Sequence, residues 1–191
     1  MKRAWFVFGR FNPPTIGHKK MLDQLKKLAG HEDYYIWPTR THGKPDNPLS
    51  HDKKVAWMEK MFPEHSPHIE SHSDIKKIEF VLQWLMMKKY TDVVLVCGSD
   101  RTLAFEFIKR HNKKRSEKSG AAYYAFDTVE IDSTGLNRDP DSNNADGMSA
   151  SKMRKAAKEV NTLDFLKGVD GLLNTDDALK LMADVRKGLG L

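Results

Sequence analysis

Two hydrophobic rhythms alternate along the chain. Residues 5–8 (WFVF) form an unbroken apolar run that stops at Gly9, whereas from Ile16 onward Leu22, Leu25 and Leu28 recur at helical spacing. A continuous run suits a strand buried on both faces, and the three-to-four spacing suits a helix that buries one stripe. A strand, a tight Asn- and Pro-rich loop and a helix beginning near Ile16 are therefore predicted. Tyr34, Tyr35, Ile36 and Trp37 read as a second strand, cut off by Pro38. Val55, Met58 and Phe62 then mark a helix capped by Ser50, and a short strand near Ile69 follows Pro63 and Pro67. Ile75, Ile78, Leu82 and Leu85 predict a long helix from Ser73 to about Lys89.

The run over residues 92–97 (DVVLVC) is the clearest central strand, and a helix through Leu103, Phe107 and Ile108 should follow it. Residues 121–126 and 129–131 form the last strand region. Leu179, Met182 and Val185 predict a final amphipathic helix that packs on the domain or on a partner subunit. Strands alternating with helices place the chain in the α/β class, as a three-layer α/β/α domain around a mostly parallel sheet of about five strands.

Composition narrows the class. With 191 residues and 39% hydrophobic content, the chain suits one domain with a full core and a small appendage. A formal charge of +6, from 32 basic and 26 acidic residues, is interspersed and fits phosphorylated small molecules as well as nucleic acid. The single cysteine, Cys97, rules out an internal disulfide and lies in an apolar strand, where a small core residue is expected. The first apolar run is too short for a signal peptide or a membrane span, so the expected location is the cytoplasm.

The loop between the first strand and the first helix concentrates the chemistry. Thr15 can cap the helix, and His18 falls at the third helical position, near the partial positive end. Gly9 permits a sharp turn and Gly17 leaves the first turn open, while Arg10, Lys19 and Lys20 add positive charge, so the stretch reads as a phosphate cradle. It is neither a P-loop nor a dinucleotide fingerprint. An ordinary βα turn whose histidine caps or packs is the plainer alternative. A second anion-friendly helix start lies near the other end, where Ser149 and Ser151 offer hydroxyls and Arg154, one turn on, offers a planar fork of donors. Alone it could be a capped basic surface helix. Between the two lie a polar loop with Arg40, His42 and Lys44, and the turn Gly98, Ser99, Asp100, Arg101 at the carboxyl end of the central strand, where open α/β sheets place ligands. Asp100 is also a candidate cap for the next helix. The basic run 109–115 reads as a solvated face, and residues 133–147, rich in Asp, Asn and Ser, as a loop that orders over nucleotide.

Thr15-Ile16-Gly17-His18 resembles the His/Thr-x-Gly-His signature of the HxGH-motif nucleotidyltransferase superfamily, which is cytidylyltransferase-like. Gly9-Arg10-Phe11-Asn12-Pro13 and Asn47-Pro48-Leu49-Ser50 are similar to stretches of the archaeal-type nicotinamide mononucleotide adenylyltransferases. Met148-Ser149-Ala150-Ser151-Lys152-Met153-Arg154 resembles the superfamily's second signature, and Gly98-Ser99-Asp100 the turn on which its nucleotide rests. The arrangement spans about residues 4–160.

The resemblance implies a Rossmann-like sheet of order 3-2-1-4-5 with the loops after strands 1 and 4 meeting at the site. It implies a nucleotidyltransferase domain over residues 1–160 and a helical appendage over 161–191. The implied reaction moves a nucleoside monophosphate, AMP rather than CMP, from a triphosphate to a phosphorylated acceptor and releases pyrophosphate. Thr15, His18 and Arg154 would serve the reacting triphosphate. Gly9, Arg10, Phe11, Asn12, Lys44, Gly98, Ser99, Asp100, Arg101, Met148, Ser149 and Ser151 would bind nucleotide or phosphate. Trp84 would stack on the acceptor's base, although Val81 stands where the archaeal-type enzymes have Asn. Mg²⁺ would arrive bound to the phosphates of ATP, with no metal held by protein ligands. The implied partners are ATP and a phosphorylated small molecule, not nucleic acid or membrane. Three other readings remain at this stage: a cytidylyltransferase acting on a sugar or alcohol phosphate, a nucleotide- or RNA-binding protein without turnover, and a relative of class I aminoacyl-tRNA synthetases.

Overall fold

The computed structural model describes residues 2–43, 45–115, 122–136 and 148–191. In chain order the main elements are β1 (Arg3–Gly9), α1 (Ile16–Ala29), β2 (Asp33–Pro38), α2 (His51–Met61), α3 (Ile78–Met87), β3 (Asp92–Val96), α4 (Thr102–Phe105), α5 (Phe107–Arg110), β4 (Thr128–Asp132), α6 (Ala150–Lys158), α7 (Thr162–Lys167) and α8 (Thr175–Gly188). They fall into two compact units. One comprises Met1–Phe8, Met21–Trp37 and Glu70–Arg138; the other comprises Gly9–Lys20, Pro38–Ile69 and Asp139–Leu191.

The first unit carries the sheet, in the order β2-β1-β3-β4. β1 pairs in parallel with β3 from Arg3↔Asp92 to Phe6↔Leu95, and β3 pairs in parallel with β4 from Asp92↔Thr128 to Val96↔Asp132. All five residues of β3 are buried, as its continuous apolar run requires of a central parallel strand. Asp92, at its start, accepts from the hydroxyls of Thr128 and Thr91, each at 2.6 Å, which holds its carboxyl below the usual range. Ala4, Phe6, Val81, Leu82, Leu85, Val93 and Leu95 form the centre of the core.

Among the described residues four strands pair where about five were expected. Ile69 forms an isolated bridge, and the next residue, Glu70, donates its N–H to the Ile36 carbonyl at 2.8 Å. Pro63 and the 3₁₀ turn Ser66–His68, which contains Pro67, leave too few backbone donors for a strand. Residues 122–126 also lie outside the ladder. Their backbone groups turn to the segment after α5, with Phe126 N–H donating to Asn112 Oδ1 at 2.9 Å and Lys113 N–H to the Tyr124 carbonyl at 3.0 Å. The helix expected from Ser73 begins only at Ile78, and the single helix expected through Leu103 is two four-residue helices. Bonds from Glu106 to Leu103 and from Lys109 to Glu106 span three residues and tighten the chain at that break. Leu103 is accordingly 87% exposed.

In the second unit, α6, α7 and α8 pack on one another. Ser149, Asn161 and Asn174 cap them, each accepting from a first-turn N–H. Met153, Ala156, Ala157, Phe165, Ala178, Leu181, Met182 and Val185 are buried. The expected stripe on α8 is thus rotated, because Leu179 is 42% exposed and Ala178 and Leu181 face inward instead. α2, capped by Ser50 as expected, is tied to α8 by Trp57 Nε1–H donating to Asp184 at 3.0 Å and by Lys60 against Asp177 at 2.7 Å. No helix among the described residues is long and apolar enough to cross a membrane.

Candidate functional site

The second unit gathers residues from three distant stretches of chain around the loop that follows β1. Phe11, in that loop, is fully buried and held in the left-handed region at φ 47°. A bulky residue adopts that conformation only where its surroundings over-determine it. Its ring lies 4.8 Å from the His18 ring, centroid to centroid. A Cβ at Gly9 would lie 3.0 Å from the Phe11 ring, closer than an ordinary contact, so a side chain there would press on that ring. Asn12 fixes the next turn: its amide donates to the Leu49 carbonyl and its Oδ1 accepts from the Leu49 N–H, both at 2.9 Å.

Thr15 and His18 form a closed pair at the start of α1. The Thr15 backbone N–H donates to His18 Nδ1 at 3.0 Å, the Thr15 hydroxyl lies 3.0 Å from the same nitrogen, and His18 N–H donates to the Thr15 hydroxyl at 3.3 Å. A backbone N–H can only donate, so Nδ1 is unprotonated and the proton of the neutral ring sits on Nε2. Thr15 thereby makes His18 a donor through Nε2. The helix start itself offers less than its position promised, because the Ile16 N–H already donates to the Gly168 carbonyl at 2.8 Å.

Arg154 completes the cluster. Its Nη1 donates to the Asn12 carbonyl at 2.9 Å, and its Nη2 donates to Ser151 Oγ at 3.0 Å and to Asp46 Oδ1 at 3.1 Å. The side chain is only 12% exposed. Burial draws its pKa down, Asp46 opposes that fall and Arg10 adds to it, but a guanidinium remains charged. Arg10 is exposed and lies 3.8 Å from the other Asp46 oxygen.

Beneath the cluster sit two residues that pattern reasoning passed over. Lys54 is fully buried, and its ammonium donates to the Thr39 carbonyl. Burial, reinforced by Arg40, lowers its pKa to about 8. His51 Nδ1 reaches the same carbonyl at 3.3 Å, and burial lowers its pKa also. The Thr39 N–H in turn donates to the Gly9 carbonyl at 2.8 Å, so Lys54 and His51 brace the loop from below. The signal was present in the register of α2, where Lys54 lies four residues before the buried Met58, but lysine at such a place ordinarily reads as solvated.

The structure thus brings Gly9, Arg10, Phe11, Asn12, Thr15, His18, Met148, Ser149, Ser151 and Arg154 into one unit. Several of them do not face a ligand. The Asn12 side chain is committed to Leu49, Phe11 to the core beneath His18, and Met148 is 7% exposed. Ser149 caps α6 by accepting from the Lys152 N–H at 3.2 Å. Gly98, Ser99, Asp100 and Arg101 lie in the first unit, as the 3₁₀ turn Ser99–Arg101 that follows β3. Asp100 makes no cap for α4, whose capping position is Arg101 without a side-chain bond. Its Oδ1 instead lies 2.6 Å from where a Cβ on Gly98 would stand, so a side chain at Gly98 would push the Asp100 carboxylate aside. Trp84, also in the first unit, is half-buried, edge-on to Tyr35 and Trp37 at 5.2 Å each and 5.7 Å from His72. Lys44 and most of the expected nucleotide loop, residues 137–147, lie outside the described residues.

Residues 6–156 match the family model described as Cytidylyltransferase-like. Among solved structures the chain is similar to a Plasmodium falciparum nicotinic acid mononucleotide adenylyltransferase complexed with APC, at 19% identity and a TM-score of 0.58, covering 97% of this chain and 98% of that one. It is also similar to the Plasmodium falciparum nicotinic acid mononucleotide adenylyltransferase complexed with NaAD, at 19% identity and a TM-score of 0.55, covering 94% and 95%. At such identity these likenesses establish a parallel-sheet, Rossmann-like α/β fold. No curated protein matches the sequence.

Proposed function

Because the chain belongs to the cytidylyltransferase-like family of nucleotidyltransferases, we propose that it transfers the adenylyl group of ATP to the phosphate of nicotinate or nicotinamide mononucleotide. The observation that carries the phosphate-transfer reading is Arg154 meeting the Asn12 carbonyl, which sets a guanidinium from α6 beside the Thr15–His18 pair's own loop. The Plasmodium falciparum protein of the same fold, described as an adenylyltransferase for nicotinic acid mononucleotide, supports the choice of acceptor.

An oxygen of the acceptor phosphate attacks the α-phosphorus, the bond from that phosphorus to the bridging oxygen breaks, and pyrophosphate leaves with the electron pair. The acceptor is already ionised, so no side-chain nucleophile or base is required, and positioning with charge neutralisation carries the catalysis. His18 donates from Nε2 to the reacting phosphate, its tautomer held by Thr15. Arg154 and Arg10 neutralise the departing phosphates, to which Ser151 donates its hydroxyl, and the resemblance assigns Lys44 to the same phosphates. Among the described residues of the cluster Arg10 and Arg154 are cationic, and the carboxylate between them, Asp46, is engaged by both. That donor set fits Mg²⁺ carried on the triphosphate rather than in a carboxylate cage, and the ion would supply charge neutralisation on the phosphates. In the first unit, we assign Gly98, Ser99, Asp100 and Arg101 to the nucleoside and Trp84 to the acceptor base on the resemblance alone.

The test is pyrophosphate release from ATP or CTP with a panel of acceptors: the two pyridine mononucleotides, phosphopantetheine, and sugar and alcohol phosphates. Turnover with ATP and a pyridine mononucleotide is expected. Turnover only with CTP and a sugar or alcohol phosphate would replace the proposal with cytidylyl transfer.

A further inference from the structure

Two guanidinium groups in the second unit share one carboxylate. Asp46 directs Oδ1 to Arg154 Nη2 at 3.1 Å and Oδ2 to Arg10 Nη1 at 3.8 Å, the way a phosphate bridges two cations through separate oxygens. Exposure differs across the trio. The Arg154 side chain is 12% exposed, whereas those of Asp46 and Arg10 are 65% and 48% exposed. Asp46 therefore meets Arg154 from the solvent side, where a ligand would also enter.

Arg154 does not depend on this partner for its placement. Its bonds to the Asn12 carbonyl and to Ser151 Oγ fix the guanidinium from the protein side. An exposed pair such as Asp46 with Arg10 is weak and screened by salt. One carboxylate against two guanidiniums also leaves the trio with a net positive charge. The arrangement holds the cations ready and yields easily to a more highly charged anion.

We propose that Asp46 is an internal counter-anion that stands in for substrate phosphate between Arg10 and Arg154, competes with the triphosphate, and so sets the protein's affinity for polyphosphate. This rests on the reading of that cluster as the triphosphate site. While Asp46 stays in place it repels incoming phosphate, and when phosphate displaces it the exposed carboxylate returns to water at little cost. Asp46→Asn keeps the shape and removes the charge.

The experiment is calorimetric titration of the full chain with inorganic tripolyphosphate, comparing wild type with Asp46→Asn, Asp46→Ser, Asp46→Glu and Arg154→Gln, each checked by thermal melting. Asp46→Asn and Asp46→Ser are expected to bind roughly 3- to 10-fold more tightly than wild type, with Asp46→Glu unchanged. The gain should shrink as ionic strength rises from about 0.05 to about 0.5 M, a dependence that a structural effect would not produce. Arg154-dependent binding that Asp46→Asn leaves unchanged or weakens would overturn the counter-anion and leave the phosphate site standing. Tripolyphosphate binding that a folded Arg154→Gln leaves intact would overturn both.

Discussion

Replacing Lys54 by Met isolates the energetic consequence of burying a cation under the candidate site. In the folded chain burial takes the Lys54 pKa from 10.5 to about 8. The folded state therefore releases a proton that the unfolded state keeps, in the window between those two values. Below the folded value both states are protonated and the folded chain bears the full cost of the buried charge, about 3 kcal/mol from the size of the shift. As pH rises through the window the unfolded state binds more protons than the folded one, so wild-type stability rises, and above the unfolded value the cost is gone. Met fills similar volume and does not titrate, at the expense of the bond to the Thr39 carbonyl, for which His51 is a second partner. Urea unfolding of wild type and Lys54→Met at pH values from about 7 to about 10 measures the difference directly, and it should move by about 2–3 kcal/mol in favour of wild type across that range. Other lysines, the tyrosines and Cys97 cancel in the comparison. A difference that stays flat with pH would show that Lys54 ionises normally and that its burial is relieved in solution.

His18→Ala should lower turnover by about 10²–10³-fold and leave triphosphate affinity close to wild type, because the Nε2 donor acts chiefly on charge that develops in the transition state; single-turnover rates beside equilibrium binding separate the two. Trp84→Ala should raise the acceptor's KM by the equivalent of ~1–3 kcal/mol with ATP binding retained, and a melting temperature that collapses instead would assign the ring to packing. Gly188→Ala should destabilise the chain by about 1–3 kcal/mol in calorimetry, since a Cβ there runs into the backbone carbonyl of Pro48, which cannot move aside as a side-chain end could.

The sequence by itself determined what depends on near neighbours. The apolar run that became β3 and the Ser50 cap of α2 were legible, because periodicity and capping act over a turn or two of chain, whereas the bond between Thr15 and His18 came only with the structure. The tertiary structure decided whatever depends on distant partners. Whether residue 69 or residues 122–126 became strands turned on which backbone donors found acceptors, and proline and the Asn112 amide settled that against a strand at either place. Arg154 meets Asn12 across 142 positions, Asp46 lies between two arginines remote from each other in sequence, and the Asn12 amide is taken by Leu49. Lys54 is buried because the packing of α2 leaves its side chain no path to water, and local pattern assigns lysine to the surface. Residue types and spacing can nominate a phosphate site, but which of its members still have donors to offer depends on bonds that form only when distant segments meet.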